Sequence, residues 1–509
     1  MRTSRAWVGM VSASALVLGL AGCSAGGGGE ATGDGTQFSY RIPDRFKNWL
    51  ADDLWNEPLQ EGAGVSVDVV DGGPEKSHYQ QLDLLLSSGD LEDATVATMS
   101  QAQVYGAQGA FLDLAPLIAS DAPHLQAYID AHPDFASLIT DQNGKIFGLI
   151  NEYPKIGPVS FYREDMMTAA GVTAAPASVE DFTKALEALK TTYGSDPTYY
   201  PLGGRDSFLN YPYAFAANDG IDDAGKVHGI YKSGRGLDIH APGALDMVTW
   251  YADLYARGLI DPEWVKGAIT EEDWQTKMLT GKISVSNDFF TRPQYFLANA
   301  DTQTYPDYRI GTMPALSNGG EQMLVPANER YNAERVFVVN AKTQNSKAIV
   351  KFLDYLYSDE GQDIYHWGVE GQSYQEQNGQ KQYTVSYAEN ADQEVGKEVW
   401  NFAQDRLTYP APVDDEAFYQ WQGDFTKTFA ADYFSSDLQV QPVLKYSPDQ
   451  QQERSKLLAS VQPLVDAEMV KFVTGDRPLS EWNSFLSEAD AQGYSQITEI
   501  DQAALDAMK

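Results

Sequence analysis

Residues 65–99 read VSVDVVDGGPEKSHYQQLDLLLSSGDLEDATVATM, and this stretch decides the fold class. Val65 to Val70 and Ala94 to Met99 are rich in β-branched and apolar residues, which is typical of strands. Between them, Tyr79 to Leu86 has apolar residues at helical spacing and is followed by the terminating sequence Ser-Ser-Gly-Asp. A strand, a helix and a second strand in this order predict an α/β fold with largely parallel sheets.

The same alternation continues along the chain. Ser178 is the predicted N-cap of a helix, because Asp181 follows three residues later and Val179 and Phe182 begin an apolar face. We predict these further elements: a helical region broken by Pro116 at 111–118, strands at 145–150, 159–162 and 336–339, and a helix over 349–356. We find no fixed-period repeat and no second Gly-rich linker, so the mature chain is expected to be compact.

Composition excludes several classes of function. The 509 residues include 72 Asp and Glu against 36 Lys and Arg, a formal net charge of −36. A field of that sign repels phosphate backbones and anionic lipids, so no nucleic-acid partner is expected, and it argues weakly against a strongly anionic ligand. The single cysteine excludes an internal disulfide and a cysteine-based zinc or redox site.

The first residues have the pattern of a secretory signal sequence. Arg2 and Arg5 precede an apolar stretch from Trp7 to Leu20, and the sequence Leu-Ala-Gly-Cys ends at the lone cysteine, Cys23. We predict a lipoprotein signal peptide over 1–22, lipidation of Cys23 and a Gly-rich flexible tether over 23–36. The alternative is an ordinary signal peptide with an incidental cysteine. The predicted location is therefore the extracellular face of a bacterial membrane.

Sequence motifs for catalysis are missing. The chain has no G-x-S-x-G, no H-E-x-x-H and no phosphate-binding glycine loop, so no catalytic residue, no metal ligand and no cofactor is predicted. Two carboxylates could serve a glycosidase, but among 72 acids any pair can be nominated. The Asp-rich run from Asn218 to Asp223 lacks the spacing of a calcium loop, and we interpret it as a solvated turn.

Several stretches, taken in their order along the chain, resemble one protein family. The chain is similar to the extracellular solute-binding proteins (family 1) of bacterial ABC importers, and in particular to their long, lipoprotein-type carbohydrate-binding branch. The stretches that carry this resemblance are LDLLLSSGDLED (82–93), GKIFGL (144–149), FYRED (161–165), AGV (170–172), MLTGKISVSNDFFTRP (278–293), WGVEGQSY (367–374) and FVTG (472–475).

The resemblance implies a two-lobe α/β fold, periplasmic-binding-protein-like, with a hinge and an interlobe ligand cleft. Lobe one would comprise 37–150 and 308–365, and lobe two 151–307 and 366–509. It further implies a neutral oligosaccharide as ligand, the membrane permease subunits of an ABC importer as partners, and a monomeric receptor that is not an enzyme. Some members carry a calcium loop where this chain has Thr191 to Pro197, which is too poor in ligands for that role.

Residues suited to a sugar combine flat aromatic surface for C–H faces with planar donors and acceptors for hydroxyl groups. Asp206 and Phe208 lie in a segment that resembles an aromatic ligand loop of malto-oligosaccharide binders. The candidate ligand-binding residues are Trp49, His78, Asn151, Glu152, Tyr153, Asp206, Phe208, Asn287, Asp288, Phe289, Trp367 and Glu370.

Each candidate has a structural alternative. Phe208 and Phe289 could pack in the core, Asn287 and Asp288 could cap a helix, and Glu370 could pair with a basic residue. Trp49 could lie on a helix face, and His78 could be an ordinary surface histidine. Two other functions also stay open: a surface glycoside hydrolase or polysaccharide lyase, and a peptide-binding receptor of the same fold. Turnover separates the enzyme from a receptor, because a receptor releases its ligand unchanged.

Overall fold

A computed structural model describes residues 35–44, 55–141, 143–152, 158–231, 236–318, 331–384, 409–423, 425–426 and 444–508. The strands are β1 (Gln37–Ile42), β2 (Ser66–Asp71), β3 (Ala94–Ala97), β4 (Leu149–Glu152), β5 (Pro158–Arg163), β6 (Tyr200–Leu202), β7 (Gly220–Ile221), β8 (Val227–His228), β9 (Ile283–Phe289), β10 (Ile310–Met313), β11 (Tyr331–Val339), β12 (Tyr374–Gln377) and β13 (Gln380–Tyr383).

The helices alternate with these strands. They are α1 (Asn56–Ala63), α2 (Glu75–Ser88), α3 (Met99–Ala107), α4 (Ala115–Asp121), α5 (Pro123–Ala131), α6 (Pro133–Ile139), α7 (Glu164–Ala169), α8 (Val179–Tyr193), α9 (Ala244–Ala256), α10 (Pro262–Val265), α11 (Glu271–Leu279), α12 (Arg292–Ala298), α13 (Ser346–Leu356), α14 (Asp359–Trp367), α15 (Asp415–Gln422), α16 (Pro448–Thr474), α17 (Trp482–Gln492) and α18 (Tyr494–Asp506). Among the described residues, no helix is both long enough and apolar enough to cross a membrane.

The first lobe is built on a five-stranded sheet with the order β2-β1-β3-β11-β4. β1 runs parallel to β2 and β3, whereas β11 is antiparallel to both β3 and β4. Its core buries Tyr40, Phe337 and Leu353 completely or almost completely. Tyr409 and Ala411 also pack in this core, although the sequence placed them in lobe two. The segment around residue 410 therefore contributes to the first lobe.

The second lobe is built on a four-stranded sheet with the order β10-β5-β9-β6. β9 is parallel to β6 and antiparallel to β5, which is also antiparallel to β10. The core packs Phe182 of α8 and Tyr251 of α9 together with Met469 and Phe485 of the C-terminal helices. The return to the first lobe comes after Met313, later than the expected boundary at 308, because β10 pairs with β5.

Local predictions are confirmed where a short-range signal existed. Ser178 caps α8 by accepting a hydrogen bond from the Asp181 backbone N–H, as its sequence indicates. Pro116 was expected to break a helix, but it lies in the first turn of α4, where a missing N–H costs no hydrogen bond. The second sheet is mixed rather than largely parallel, because β5 and β10 enter at the lobe crossings and not through helical crossovers.

The carboxyl edges of both sheets lie on either side of the first crossing, where the chain passes from β4 of the first lobe to β5 of the second. β3 and β4 run in the same direction, since β11 is antiparallel to both, so β4 ends at the edge where β3 ends. The chain then reaches Pro158, whose backbone pairs with Phe289 at the carboxyl end of β9. The six peptide links from Glu152 to Pro158 can span at most about 22 Å. The interlobe cleft therefore lies between these two edges.

Candidate ligand-binding site

A charged cluster occupies the carboxyl edge of the second sheet. Arg205 follows β6 and reaches Asp288 of β9, with Nε 2.7 Å from Oδ2 and Nη2 3.0 Å from Oδ1. Nη1 of Arg205 also donates to Glu271 at 2.7 Å, and Arg292 donates to the other Glu271 oxygen at 2.7 Å. Both guanidinium groups lie over the fully buried ring of Trp274, at 5.3 and 5.8 Å from its centroid. The cluster is thus cross-linked and rigid.

Asp206 and Phe289 at this edge face solvent. The Asp206 side chain is 78% exposed, and its Oδ2 lies 3.7 Å from Arg205 Nε, which is already bonded to Asp288. Partial desolvation and the charges of Asp288 and Glu271 raise the pKa of Asp206, although Arg205 opposes them. Phe289 is 44% exposed, with its ring 5.9 Å from the Arg205 guanidinium. An exposed carboxylate beside an exposed aromatic face is the arrangement that binds a sugar ring.

Asn287 belongs to a polar chain across the second sheet. Its Nδ2 donates to Ser160 Oγ at 2.9 Å, and Ser160 Oγ donates to the Tyr211 hydroxyl at 3.1 Å. Asn287 is half-buried and lies on β9 rather than at a helix end, so neither it nor Asp288 caps a helix. The amide keeps an oxygen that can accept a hydrogen bond from a ligand hydroxyl.

Asn151 and Glu152, at the end of β4, have different environments. Asn151 is 3% exposed, and its Nδ2 has no acceptor among the described residues. A buried amide donor without a partner costs free energy, and a ligand oxygen would restore the bond. Glu152 is 2% exposed and accepts hydrogen bonds from the Tyr128 hydroxyl and from the Val413 N–H at 3.4 Å. These contacts give Glu152 a structural role at the end of β4.

Phe208 and His78 are packed inside the lobes. Phe208 is 6% exposed and lies edge-on to Tyr251, with the ring centroids 5.5 Å apart. His78 is not a surface residue: it is 2% exposed, with Nε2 2.9 Å from the Val96 carbonyl oxygen. Burial lowers the pKa of His78, so the ring is neutral at pH 7 and donates to that carbonyl. Both residues have a structural explanation.

Trp367 and Glu370 lie near the small hairpin of β12 and β13, which forms a sheet separate from that of β9. The Trp367 ring is 7% exposed and stacks on Tyr383 with centroids 4.8 Å apart. Glu370 is exposed and forms an isolated bridge with Tyr374. The described contacts therefore bring together Asp206, Asn287, Asp288 and Phe289, with Asn151 across the crossing. Trp49, Tyr153 and Cys23 lie outside the described residues.

The sequence reasoning missed one pocket between the lobes. Its lining residues are Met99, Gln103, Leu138, Ile150, Tyr331, Leu444 and Lys445. The first five belong to the first lobe, whereas Leu444 packs with β8 and α18 beside the second lobe. Met99 and Gln103 lie in the first turns of α3, the helix that follows the carboxyl end of β3, and that position could have identified them, because ligands bind at this end of α/β sheets.

The two Asp-containing loops hold internal contacts. Asp196 accepts hydrogen bonds from the Thr198 N–H and hydroxyl, and its other oxygen pairs with Lys282. In the Asn218–Asp223 run, Asp222 caps an exposed turn, but Asp219 is fully buried, so the expectation of a solvated turn is wrong for that residue. Within the described ranges, no three or more His, Cys, Asp or Glu side chains form a metal-binding group.

Known proteins share this architecture over nearly the whole chain. The fructooligosaccharide ABC transporter substrate-binding protein FusA of Streptococcus pneumoniae serotype 4 is 21% identical over 485 residues, which cover 88% of this chain and 86% of FusA. The crystal structure of the alginate-binding protein AlgQ2 without calcium ion superposes with a TM-score of 0.76 at 18% identity, covering 94% of this chain and 99% of AlgQ2.

A human-milk-oligosaccharide-binding ("HMO binding") solute-binding protein of Bifidobacterium longum infantis superposes with a TM-score of 0.68 at 16% identity, covering 92% of this chain and 98% of that protein. At these identities the structures show the two-lobe fold. The model of the family described as bacterial extracellular solute-binding protein matches residues 42–363. Because that match spans more than half of the chain, the protein belongs to the bacterial extracellular solute-binding proteins.

Proposed function

We propose that the protein is a receptor that captures an oligosaccharide between its lobes and delivers it to an ABC importer. The observation that carries this proposal is the exposed Asp206 carboxylate beside the exposed Phe289 ring, at the sheet edge next to the first crossing. Asn151, with an unpartnered amide nitrogen, ends the strand on the other side of that crossing. A ligand that contacts both edges would stabilise the closed arrangement of the lobes.

The names of related proteins support a saccharide over a peptide. FusA is named for fructooligosaccharides, AlgQ2 for alginate and the Bifidobacterium protein for human milk oligosaccharides. We propose that this chain also binds rather than cleaves its ligand. The described site supports this assignment, because Arg205 and Arg292 hold the carboxylates of Asp288 and Glu271, and Asp206 beside them is the most exposed of the three. A glycosidase needs two carboxylates that both reach the substrate.

The direct test combines binding with product analysis. The secreted chain is titrated calorimetrically with neutral oligosaccharides, acidic oligosaccharides and short peptides, and the bound fraction is then recovered and analysed for chain length. A ligand at 100 times its Kd should stabilise the protein by about 2.7 kcal/mol, which a melting curve resolves. Binding of one saccharide class and its recovery intact supports the receptor. Binding of peptides alone overturns the ligand class, and shortened products overturn the receptor.

We further propose that lipidated Cys23 anchors a monomeric receptor to the outer face of the membrane, where permease subunits of the importer meet it. The proposal rests on the position of the lone cysteine at the end of the apolar leader. Cys23→Ser should move the protein from the membrane fraction to the medium, since the residue supplies the only lipidation point of this kind. A variant that still sediments with membranes would refute the anchor, and gel filtration tests the monomer.

A further inference from the structure

The pocket between the lobes contains a lysine that has no counter-charge in the described part of the chain. Lys445 lines it together with Leu444, and the opposite wall comes from the first lobe. Helix α3 of the first lobe touches α16, which begins three residues after Lys445, so this wall is where the two lobes meet. A side chain at this place can contact a ligand that lies between the lobes beside Ile150, the neighbour of Asn151.

Among the described residues, the Lys445 ammonium has no hydrogen-bond acceptor and no ion-pair partner. Burial lowers its pKa, and no carboxylate contributes an opposing shift. Other cations at the site differ, since Arg205 and Arg292 are each paired with Asp288 and Glu271. In a chain with twice as many acids as bases, an uncompensated ammonium between the lobes is exceptional.

None of the other described residues that line this pocket is acidic, so none of them supplies a negative charge to Lys445. Met99, Leu138, Ile150 and Leu444 are apolar, and the Tyr331 hydroxyl donates to Asp134 at 2.8 Å. Gln103 makes no side-chain hydrogen bond with the described residues and can donate from its amide to the same acceptor. A partly desolvated ammonium beside a free amide donor, in an apolar frame, favours a charged oxygen acceptor over a neutral one.

We propose that Lys445, assisted by Gln103, recognises a carboxylate of the bound oligosaccharide, so that the receptor selects a saccharide containing a uronic or other sugar acid. This inference rests on the proposed function and names its substrate class. It departs from the neutral ligand that the overall charge suggested, because that field is screened over about 8 Å at physiological salt, whereas an ammonium in the pocket acts at contact distance.

The experiment compares uronate oligosaccharides with their own carboxyl-reduced forms. Fragments of pectin, alginate, glucuronoxylan and hyaluronan are titrated into the secreted chain before and after reduction, so each pair differs only at the carboxyl group. We expect at least one acidic fragment to bind about 10- to 100-fold more tightly than its reduced form. Raising the salt concentration should weaken the acidic ligand selectively.

Three variants define the role of the ammonium. Lys445→Met should abolish the preference for the acid form, and Lys445→Arg should retain it. Lys456→Met, which removes an exposed lysine of α16, is the matched control and should leave the preference unchanged. Lys445→Met should also keep or raise the melting temperature of the free protein, because it removes an unpaired, partly desolvated charge, whereas a purely structural lysine would lower it.

Every outcome decides between the two proposals. If neutral oligosaccharides bind as tightly as acidic ones, or if Lys445→Met weakens both forms equally, the receptor assignment stands and the carboxylate assignment is refuted. If no saccharide of either kind binds, the proposed function itself fails. If acidic fragments bind selectively and the preference survives in Lys445→Met, the carboxylate lies elsewhere and Lys445 is not its partner.

Discussion

Arg205 holds both carboxylate oxygens of Asp288, and this bidentate pair leaves the neighbouring Asp206 free to face solvent. The Asp288 side chain is only 3% exposed, so its charge is compensated inside the protein rather than by water. Burial alone would lower the pKa of Arg205, but the contacts with Asp288 and Glu271 raise it. The pair therefore holds this edge of the sheet together, and we expect the more exposed Asp206 carboxylate to meet a ligand.

Asp206→Asn should reduce ligand affinity about tenfold without changing stability, because an exposed surface substitution alters the free energy of unfolding by about 0.5 kcal/mol or less. Calorimetric titration and urea unfolding measure the two effects on the same preparation. Asp68→Asn is the matched control, since it makes the same change at an exposed position of β2 in the first lobe. Equal affinities for the two variants would remove Asp206 from the site.

Asp288→Ala should mainly lower the free energy of unfolding. It leaves Arg205 without its bidentate partner in a mostly buried position, and breaking a buried pair in this way costs about 3 kcal/mol. Urea unfolding of the free protein tests this value. A variant with wild-type stability would show that Glu271 and solvent compensate Arg205 fully, and Asp288 would then be open to a direct role with the ligand.

Substitutions of two phenylalanines should distinguish a ring that binds ligand from a ring that packs in the core. Phe289→Ala should weaken ligand binding about five- to tenfold with little change in stability, because its exposed ring is available for stacking. Phe208→Ala should lower the free energy of unfolding by about 3–5 kcal/mol, because it empties a space in the core. Leu84→Ala, at a residue 68% exposed on α2, is the control for loss of apolar surface. If Leu84→Ala and Phe289→Ala weaken binding to the same extent, the stacking role is refuted.

The sequence predicted elements whose causes are local. The cap at Ser178 and the spacing of Val179, Phe182 and Leu186 suffice to define α8, because each interaction lies within one or two turns. The direction of β5 and β10 could not be predicted in this way. It depends on where the chain crosses between lobes, and no short-range pattern around Pro158 or Ile310 records that crossing.

Site residues were predictable in type but not in exposure. Asp206, Asn287 and Phe289 combine the expected side chains at strand ends, yet Phe208 has the same composition around it and lies in the core. Exposure depends on which neighbours fold over a ring, and for Phe208 the neighbour is Tyr251 of a distant helix. Lys445 had no signal at all, because its pocket forms only when the C-terminal segment packs opposite β4.

Glu152 links the first crossing to the segment that carries Val413, and its bond with Tyr128 should be measurable as a coupling energy. Burial and the Glu152 charge raise the pKa of Tyr128, as expected for a hydroxyl that donates to a carboxylate. Tyr128→Phe and Glu152→Gln should each destabilise by about 1–3 kcal/mol, and a double-mutant cycle should give a coupling above about 1 kcal/mol.

The exposed pair of Tyr105 and Asp83 offers the control for this cycle, because it has the same chemistry near solvent. Its coupling should stay below about 1 kcal/mol, as for other exposed polar pairs. Equal couplings for the two pairs would show that burial of Glu152 adds nothing, and its structural role at the end of β4 would then be refuted.

Asp93 should make stability depend on acid pH. Burial alone would raise its pKa, but hydrogen bonds from Thr343, Ser39 and Asn345 outweigh that effect and lower it. A carboxyl whose folded pKa lies below its unfolded value of about 3.9 stabilises the fold above that pH and loses the contribution as the pH falls through the folded pKa.

Asp93→Asn should be less stable at pH 7, and the difference from wild type should shrink steadily below about pH 4. Urea unfolding from pH 7 to pH 3 measures this difference in the free energy of unfolding. The contributions of the other carboxyl groups cancel in it, because both proteins contain them. A difference that stays constant down to pH 3 would mean that the hydrogen bonds to Asp93 do not favour its charged form.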